Sequence, residues 1–295
     1  MNDDEQSRGV ISSADRRRRS VRWTLGISHP IILTAVAIAG LGPILWTAKG
    51  AVSSTQEFIQ HPLRLWPSVF QWGNITSAWA ELRLGHYLLN TLLLVGGSWF
   101  FQLLVATGGA YALSVLRPRY GRVVYYSVLA TLFIPGTTSL VALYMVVLKL
   151  PLTGGSIANT PWAVWLPAGA HAFNVLIMKQ FFDGLPRELH EAAQVDGAGP
   201  WRLFWLIVMP MSGPIIAVVS LLSVMGAWKE FLWPMIVISD TEAQPLSVAL
   251  PRLAENAQQN QVIAGMLLTI IPPLLLFLMF QRHIVRGINF TGLKG

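Results

Sequence analysis

His190-Glu191 opens the stretch of this chain that comes nearest to a metal-binding spacing. Two histidines four apart on a helix, with a glutamate between them as general base, hold a catalytic zinc. Here Gln194 stands where the second histidine is needed, so no metal site is expected. The phosphate-cradling Gly-x-x-x-x-Gly-Lys-Ser/Thr loop is absent, as are the nucleophile elbow and the dinucleotide-binding glycine pattern. With no cysteine, thiolate chemistry and disulfides are excluded too.

What remains are polar groups set inside apolar runs: Asn90, Gln102, His171, Asn174, Ser220, Ser223, Lys229 and Glu230. Ionisable groups in such runs mark solute or ion paths by default. The plainer alternative is a hydrogen bond between neighbouring helices, worth about 0.6 kcal/mol on average. Asn90, His171, Asn174, Ser223, Lys229 and Glu230 are the candidates for a solute pathway. His171 and Asn174, three apart on one helix, would share a face. Lys229 and Glu230, adjacent in one span, would lie about 100° apart around it; the alternative is a structural pair near the membrane boundary.

The elements that must hold these groups are membrane spans. Of 295 residues, 53% are hydrophobic and 12% charged, about half the charge of an ordinary soluble domain. A span needs about 20 mainly apolar residues, and six such stretches occur, at 26–48, 87–116, 123–148, 161–182, 206–239 and 262–281. The expected class is an all-α polytopic membrane protein of six transmembrane helices, several kinked by proline. The segment 49–85 is too short for a domain and is expected to form an external cap of short helices.

Orientation follows the Lys and Arg bias of short loops. With the amino terminus inside, six of these residues precede the first span, and three each follow the second, accompany the loop after the fourth, and follow the sixth. The outer segments hold only Lys49, Arg64, Arg83, Lys149 and Arg252. Both termini are therefore expected to be cytoplasmic. The Arg16–Arg19 run fits an anchor better than a cleaved signal, because its apolar run continues to Trp46. The net charge of +7 follows this topology rather than a nucleic-acid surface. Trp23, Trp46, Trp162, Trp165, Trp201 and Trp205 sit at span ends, as an interfacial belt requires.

Between the fourth and fifth spans, residues 185–200 predict a short amphipathic helix, a turn and a second helix. Pro186 suits the first helical position, Glu188 the first turn and Gly197 the position past the end. Leu185, Leu189, Ala192 and Ala193 fall on one side, and Arg187, Glu188, Glu191 and Gln194 on the other.

Glu191-Ala192-Ala193, Asp196-Gly197-Ala198, Phe204, Pro210 and Pro214 resemble the E-A-A loop of permease subunits of binding-protein-dependent ABC importers. Trp228-Lys229-Glu230-Phe231-Leu232-Trp233-Pro234 and the tail Arg286 to Gly295 are similar to the carbohydrate-class, maltose-type branch. The resemblance implies a six-helix permease domain over 26–281, containing a coupling loop at 183–205, between a basic cytoplasmic segment 1–25 and a cytoplasmic tail 282–295. It implies a multi-pass protein of the cytoplasmic (inner) membrane that passes a sugar or oligosaccharide and is not itself an enzyme. Glu191, Ala192, Ala193, Asp196, Gly197 and Ala198 would dock on a separate ATPase dimer. ATP and Mg would reside in that ATPase, with no cofactor in this chain. The other partners implied are a second homologous permease, an extracytoplasmic solute-binding protein and membrane lipid, with no nucleic acid. Lys229, where relatives more often carry a neutral polar residue, leaves glycerol phosphate or another polyol derivative open as solute. A stand-alone secondary transporter would require an inverted repeat, and none is evident.

Overall fold

In the computed structural model, which describes residues 19–291, every regular element among the described residues is helical. The expectations for residues 1–18 and 292–295 lie outside this range. Among the described residues three helices are long and apolar enough to cross a membrane: α1 (Arg19–Ala51), α4 (Leu84–Leu116) and α14 (Gln259–Thr291) over its part to Gln281. Two bent pairs raise the number to as many as five if each pair is one span.

The first pair is α5 (Gly121–Thr131) with a short 3-10 turn (Gly136–Ser139) and α6 (Leu140–Leu148), bent by 103°. Pro135 causes the break, since it has no N–H to donate and forces Ile134 out of helical backbone. The second pair is α10 (Pro200–Met211) and α11 (Gly213–Lys229), bent by 79° at Ser212 between Pro210 and Pro214.

The stretch expected as one span at 161–182 is instead two short helices, α7 (Trp162–Gly169) and α8 (Ala172–Asp183). Pro167 weakens the end of α7, and His171 takes extended backbone at φ −96°, ψ 97°. His171 and Asn174 therefore do not share one continuous helix. The expected span at 206–239 also ends early. Glu230 is extended, at ψ 121°, and a separate α12 (Leu232–Val237) follows. Lys229 is thus the last residue of α11 and Glu230 lies beyond it, so the two are not neighbours within one helix.

The segment between α1 and α4 carries α2 (Thr55–Gln60) and α3 (Gly73–Glu81). Ser54 caps α2 by accepting the Glu57 N–H at 3.2 Å. The loop after the α4 end is followed by α5, and the loop after α8 by α9 (Arg187–Val195). The last short helix is α13 (Leu246–Ala254).

α4 is the axis of the bundle, packed by α7, α8 and α11, while α14 joins α1, α3 and α11. Its buried residues divide into three layers. Leu84 and Tyr87 pack with Ala51, Leu82, Leu246 and Ala264 near the α2–α3 cap. Leu94 packs with Val147, Ala163, Trp233 and Val237. Ala106, Ala110 and Tyr111 pack with Met178, Phe182, Phe204 and Val208 at the opposite end. Small residues along α4 set these close approaches, as between membrane helices that gain little from burying apolar area against apolar lipid. At Gly97 an added Cβ would lie 2.1 Å from the Trp165 indole, so only glycine admits this ring. Along α1 the most apolar stretch has no buried residue, which leaves it facing outward from the bundle.

Candidate functional site: a buttressed surface loop and a central cavity

α9 and the turn behind it are closed by backbone geometry that the sequence dictates. Gly197 takes φ 76°, and the Ala198 N–H reaches back to the Ala193 carbonyl at 2.8 Å. Asp196 N–H donates to the Ala192 carbonyl at 3.0 Å. This is the Schellman arrangement, in which a left-handed glycine lets the chain satisfy the last helical carbonyls. Gly199 is extended, and Pro200 then opens α10 in a position that needs no N–H partner.

The turn divides the loop into two faces. Ala193 is buried against Phe204 and Met178, and Leu185 and Ala198 pack on the same cluster. Glu191, Ala192, Asp196 and Gly197 are exposed, and Val195 is 87% exposed. Ala192 thus faces away from Ala193, about 100° around the helix, rather than sharing its buried side. The result is an outward ridge of small and acidic side chains with an apolar side facing the bundle.

Two sets of contacts tie the loop to α4. Tyr111 donates its hydroxyl to the Pro200 carbonyl at 2.8 Å, and its ring lies 4.9 Å from that of Phe204. At the other end of the loop, Asp183 accepts hydrogen bonds from the Ser114 hydroxyl and from Lys179 Nζ, the latter at 2.5 Å. Arg117 Nε donates to the Ser114 carbonyl at 2.7 Å. Ser114 lies in the π-turn that ends α4, so both ends of the loop are fastened to the same short segment of that helix.

Farther along α4, a cavity of about 650 Å³ opens between α4, the α5–α6 bend, the α7–α8 break and the ends of α11 and α12. Its polar lining includes Ser98, Gln102, Thr137, His171, Asn174 and Glu230. Asn174 is 1% exposed, and its Nδ2 donates to Gln102 Oε1 at 2.9 Å and to Ser223 Oγ at 3.0 Å. Its Oδ1 is buried and has no partner. Glu230 is exposed; its Oε1 accepts the Trp233 N–H at 3.2 Å, and its carbonyl accepts the Ser247 hydroxyl at 2.8 Å.

The six pathway candidates therefore separate. His171, Asn174 and Glu230 line the cavity, and Ser223 holds Asn174 from behind. Asn90 is turned to the loop before α13, where its Nδ2 donates to the carbonyls of Glu242 at 2.6 Å and Gln244 at 3.1 Å. Lys229 is exposed and is not among the lining residues. Gln102, which the sequence marked only as a neighbour in this group, joins the buried triad. The Tyr111–Pro200 and Ser114–Asp183 contacts carried no local sequence signal, because their partners lie 89 and 69 residues apart. Among the described residues no group of three or more His, Asp or Glu could hold a metal ion.

Residues 104–290, more than half of the chain, match the protein family described as binding-protein-dependent transport system inner membrane component. The chain is 29% identical to the diacetylchitobiose uptake system permease protein NgcG of Streptomyces coelicolor, over 95% of this chain and 90% of that one. It is 30% identical to the sn-glycerol-3-phosphate transport system permease protein UgpE of Pectobacterium atrosepticum, over 88% and 94% of the two chains. It is 29% identical to the arabinooligosaccharides transport system permease protein AraQ of Halalkalibacterium halodurans, over 92% and 96%. The same fold occurs in a chain of a bacterial ABC transporter involved in import of the acidic polysaccharide alginate, with TM-score 0.79 over 90% of this chain at 23% identity.

Proposed function

Since the chain belongs to the family of binding-protein-dependent transport system inner membrane components, we propose that it is the permease subunit of an ATP-driven importer for a sugar-class solute. In this reading the ridge of Glu191, Ala192, Asp196 and Gly197 is the surface on which a separate ATPase acts. The observation that carries it is the fastening of residues 183–200 to the end of α4 by Tyr111–Pro200 and Ser114–Asp183. A push on the ridge reaches the helix that forms one wall of the cavity, without passing through a flexible linker.

The cycle follows from that linkage. ATP closes the partner ATPase pair, the loop moves with it, and the ends of α4, α8 and α10 change their packing together. Ligand-free and ATP-bound partners thus favour different openings of the cavity, which is a shift between two packed states. The loop faces the cytoplasm in this scheme, six membrane crossings place both termini there, and the α2–α3 cap lies outside to receive a solute-binding protein. The α7–α8 pair supplies the sixth crossing as a broken helix, tolerated where irregular backbone lines a cavity. A second permease completes the translocation path, and ATP and Mg stay with the ATPase. The named relatives support the solute class: two carry oligosaccharides and one carries glycerol phosphate by name.

The chain contains no cysteine, so Ala192→Cys supplies a unique thiol on the ridge. A short bifunctional crosslinker on the assembled complex is expected to join this position to the ATPase, with an efficiency that changes when ATP is bound. Absence of any such product, together with crosslinking from Leu63→Cys in the exposed α2–α3 cap at the opposite end, would overturn the orientation.

A further inference from the structure

The relatives divide between uncharged oligosaccharides and an anionic phosphate ester, and the cavity chemistry separates the two. Resting on the permease reading above, we infer that the cavity takes hydroxyl-rich solutes without negative charge, and that Glu230 is the residue that excludes anions. Among its described lining residues there is no Lys or Arg, and Glu230 is the carboxylate. Asn174 Oδ1, buried behind the lining and without a partner, is a further acceptor. The Ser98 and Thr137 hydroxyls of the lining can donate or accept and so suit a sugar, while the Glu230 carboxylate accepts hydroxyl donors and repels a phosphate or another carboxylate.

The helix ends add to the same sign. Glu230 follows the carboxyl-terminal end of α11, a 17-residue helix whose macrodipole puts partial negative charge there. Lys229 is the cation at that end, but it is exposed and outside the lining. Low-dielectric walls around a cleft of one sign focus its field and repel like charge, with effects on local concentration of about tenfold or more. Glu230 is also held in place, by the Trp233 N–H on its side chain and the Ser247 hydroxyl on its carbonyl. Glutamine at that position supplies an amide oxygen that can accept the Trp233 N–H in place of the carboxylate oxygen.

The test uses the intact complex in lipid nanodiscs, with Ala227→Cys as a thiol in the cavity wall three residues before Glu230. Thr137→Cys, contributed by the α5–α6 bend, is the second reporter should the first impair folding. The probes are sulfonatoethyl and trimethylammonioethyl methanethiosulfonate, each rate divided by its rate with free 2-mercaptoethanol. Labelling is run at about pH 8, where an ordinary imidazole of pKa about 6.5 is neutral and His171 adds no charge. The normalised rate for the anion is expected to be about tenfold below that for the cation. Glu230→Gln should bring the two within about twofold of each other, while Lys229→Gln leaves the difference in place. Equal rates in the unaltered protein, an unchanged ratio in Glu230→Gln, or an equal effect from Lys229→Gln would overturn the inference. Because labelling needs neither ATP nor solute, these results stand apart from failure of the coupling-loop reading.

Discussion

Tyr111, near the end of the long central helix, and Pro200, the residue that opens α10 after the Gly197 turn, are joined by a 2.8 Å hydrogen bond from the phenol to the backbone carbonyl. That bond connects a surface loop to the helix along which the cavity is built. Tyr111→Phe keeps the ring against Phe204 and removes only the donor. The loss is expected to cost about 1 kcal/mol, seen as a small drop in melting temperature of the complex. Transport per ATP hydrolysed should fall by more than the stability loss explains, as measured by parallel uptake and hydrolysis in proteoliposomes.

Gly197 has open space where a Cβ would be, so an alanine there meets strain rather than a clash. With φ at 76°, Gly197→Ala should destabilise the turn by about 1 kcal/mol. Proline, whose φ is fixed near −65°, should abolish the turn. Hydrogen exchange of the amides from Ala193 to Ala198 would register a graded loss of protection across glycine, alanine and proline.

Gly97→Ala has the opposite character. Its Cβ would be 2.1 Å from Trp165, so the indole has to swing out of its place. Overpacking of this kind costs about 1–3 kcal/mol, and a compensating Trp165→Leu should recover most of it. A double-mutant cycle by thermal unfolding in detergent reads the coupling directly.

The cap has its own pH dependence. Glu57 Oε1 accepts the Ser68 N–H at 2.7 Å and the Ser68 hydroxyl at 2.8 Å, with Arg64 at 3.3 Å. The hydrogen bonds from the Ser68 backbone and side chain hold its carboxyl below the ordinary value of 4.5, opposed by desolvation and helped to a lesser degree by the charges of Arg64 and Lys49. A depressed carboxyl pKa adds stability that is complete above the unfolded value and is lost as pH falls through the folded one. The segment 57–68 should therefore keep its exchange protection through neutral pH and lose it only below 4.5. Glu57→Gln should show no such step.

The helix, turn and second helix of residues 185–200 were legible in the sequence because their determinants are local: Gly197 past the helix end and Pro200 opening the next. The positions of the polar candidates were less so. The apolar run around Lys229 and Glu230 continues through Val237, and nothing in its hydropathy marks the helix end. The partners that hold Glu230 outside the helix are Trp233 and Ser247, the second contributed by α13. Asn90 reads as a pathway residue until the loop at Glu242 and Gln244 comes within reach across more than 150 residues. The α7–α8 break has the same origin, since Pro167 permits either a kink or a break, and tertiary packing chooses between them.

Whether the ridge of α9 couples a partner ATPase to the spans is read most directly from solute-dependent ATP hydrolysis and uptake by the reconstituted complex. Unaltered protein is set beside Glu191→Ala and Gly197→Pro, with assembly verified for each. Coupling through the loop predicts that both activities collapse in the variants while the subunits remain folded in the membrane. Uptake by this chain alone in liposomes, without any ATPase and indifferent to the two substitutions, would contradict it.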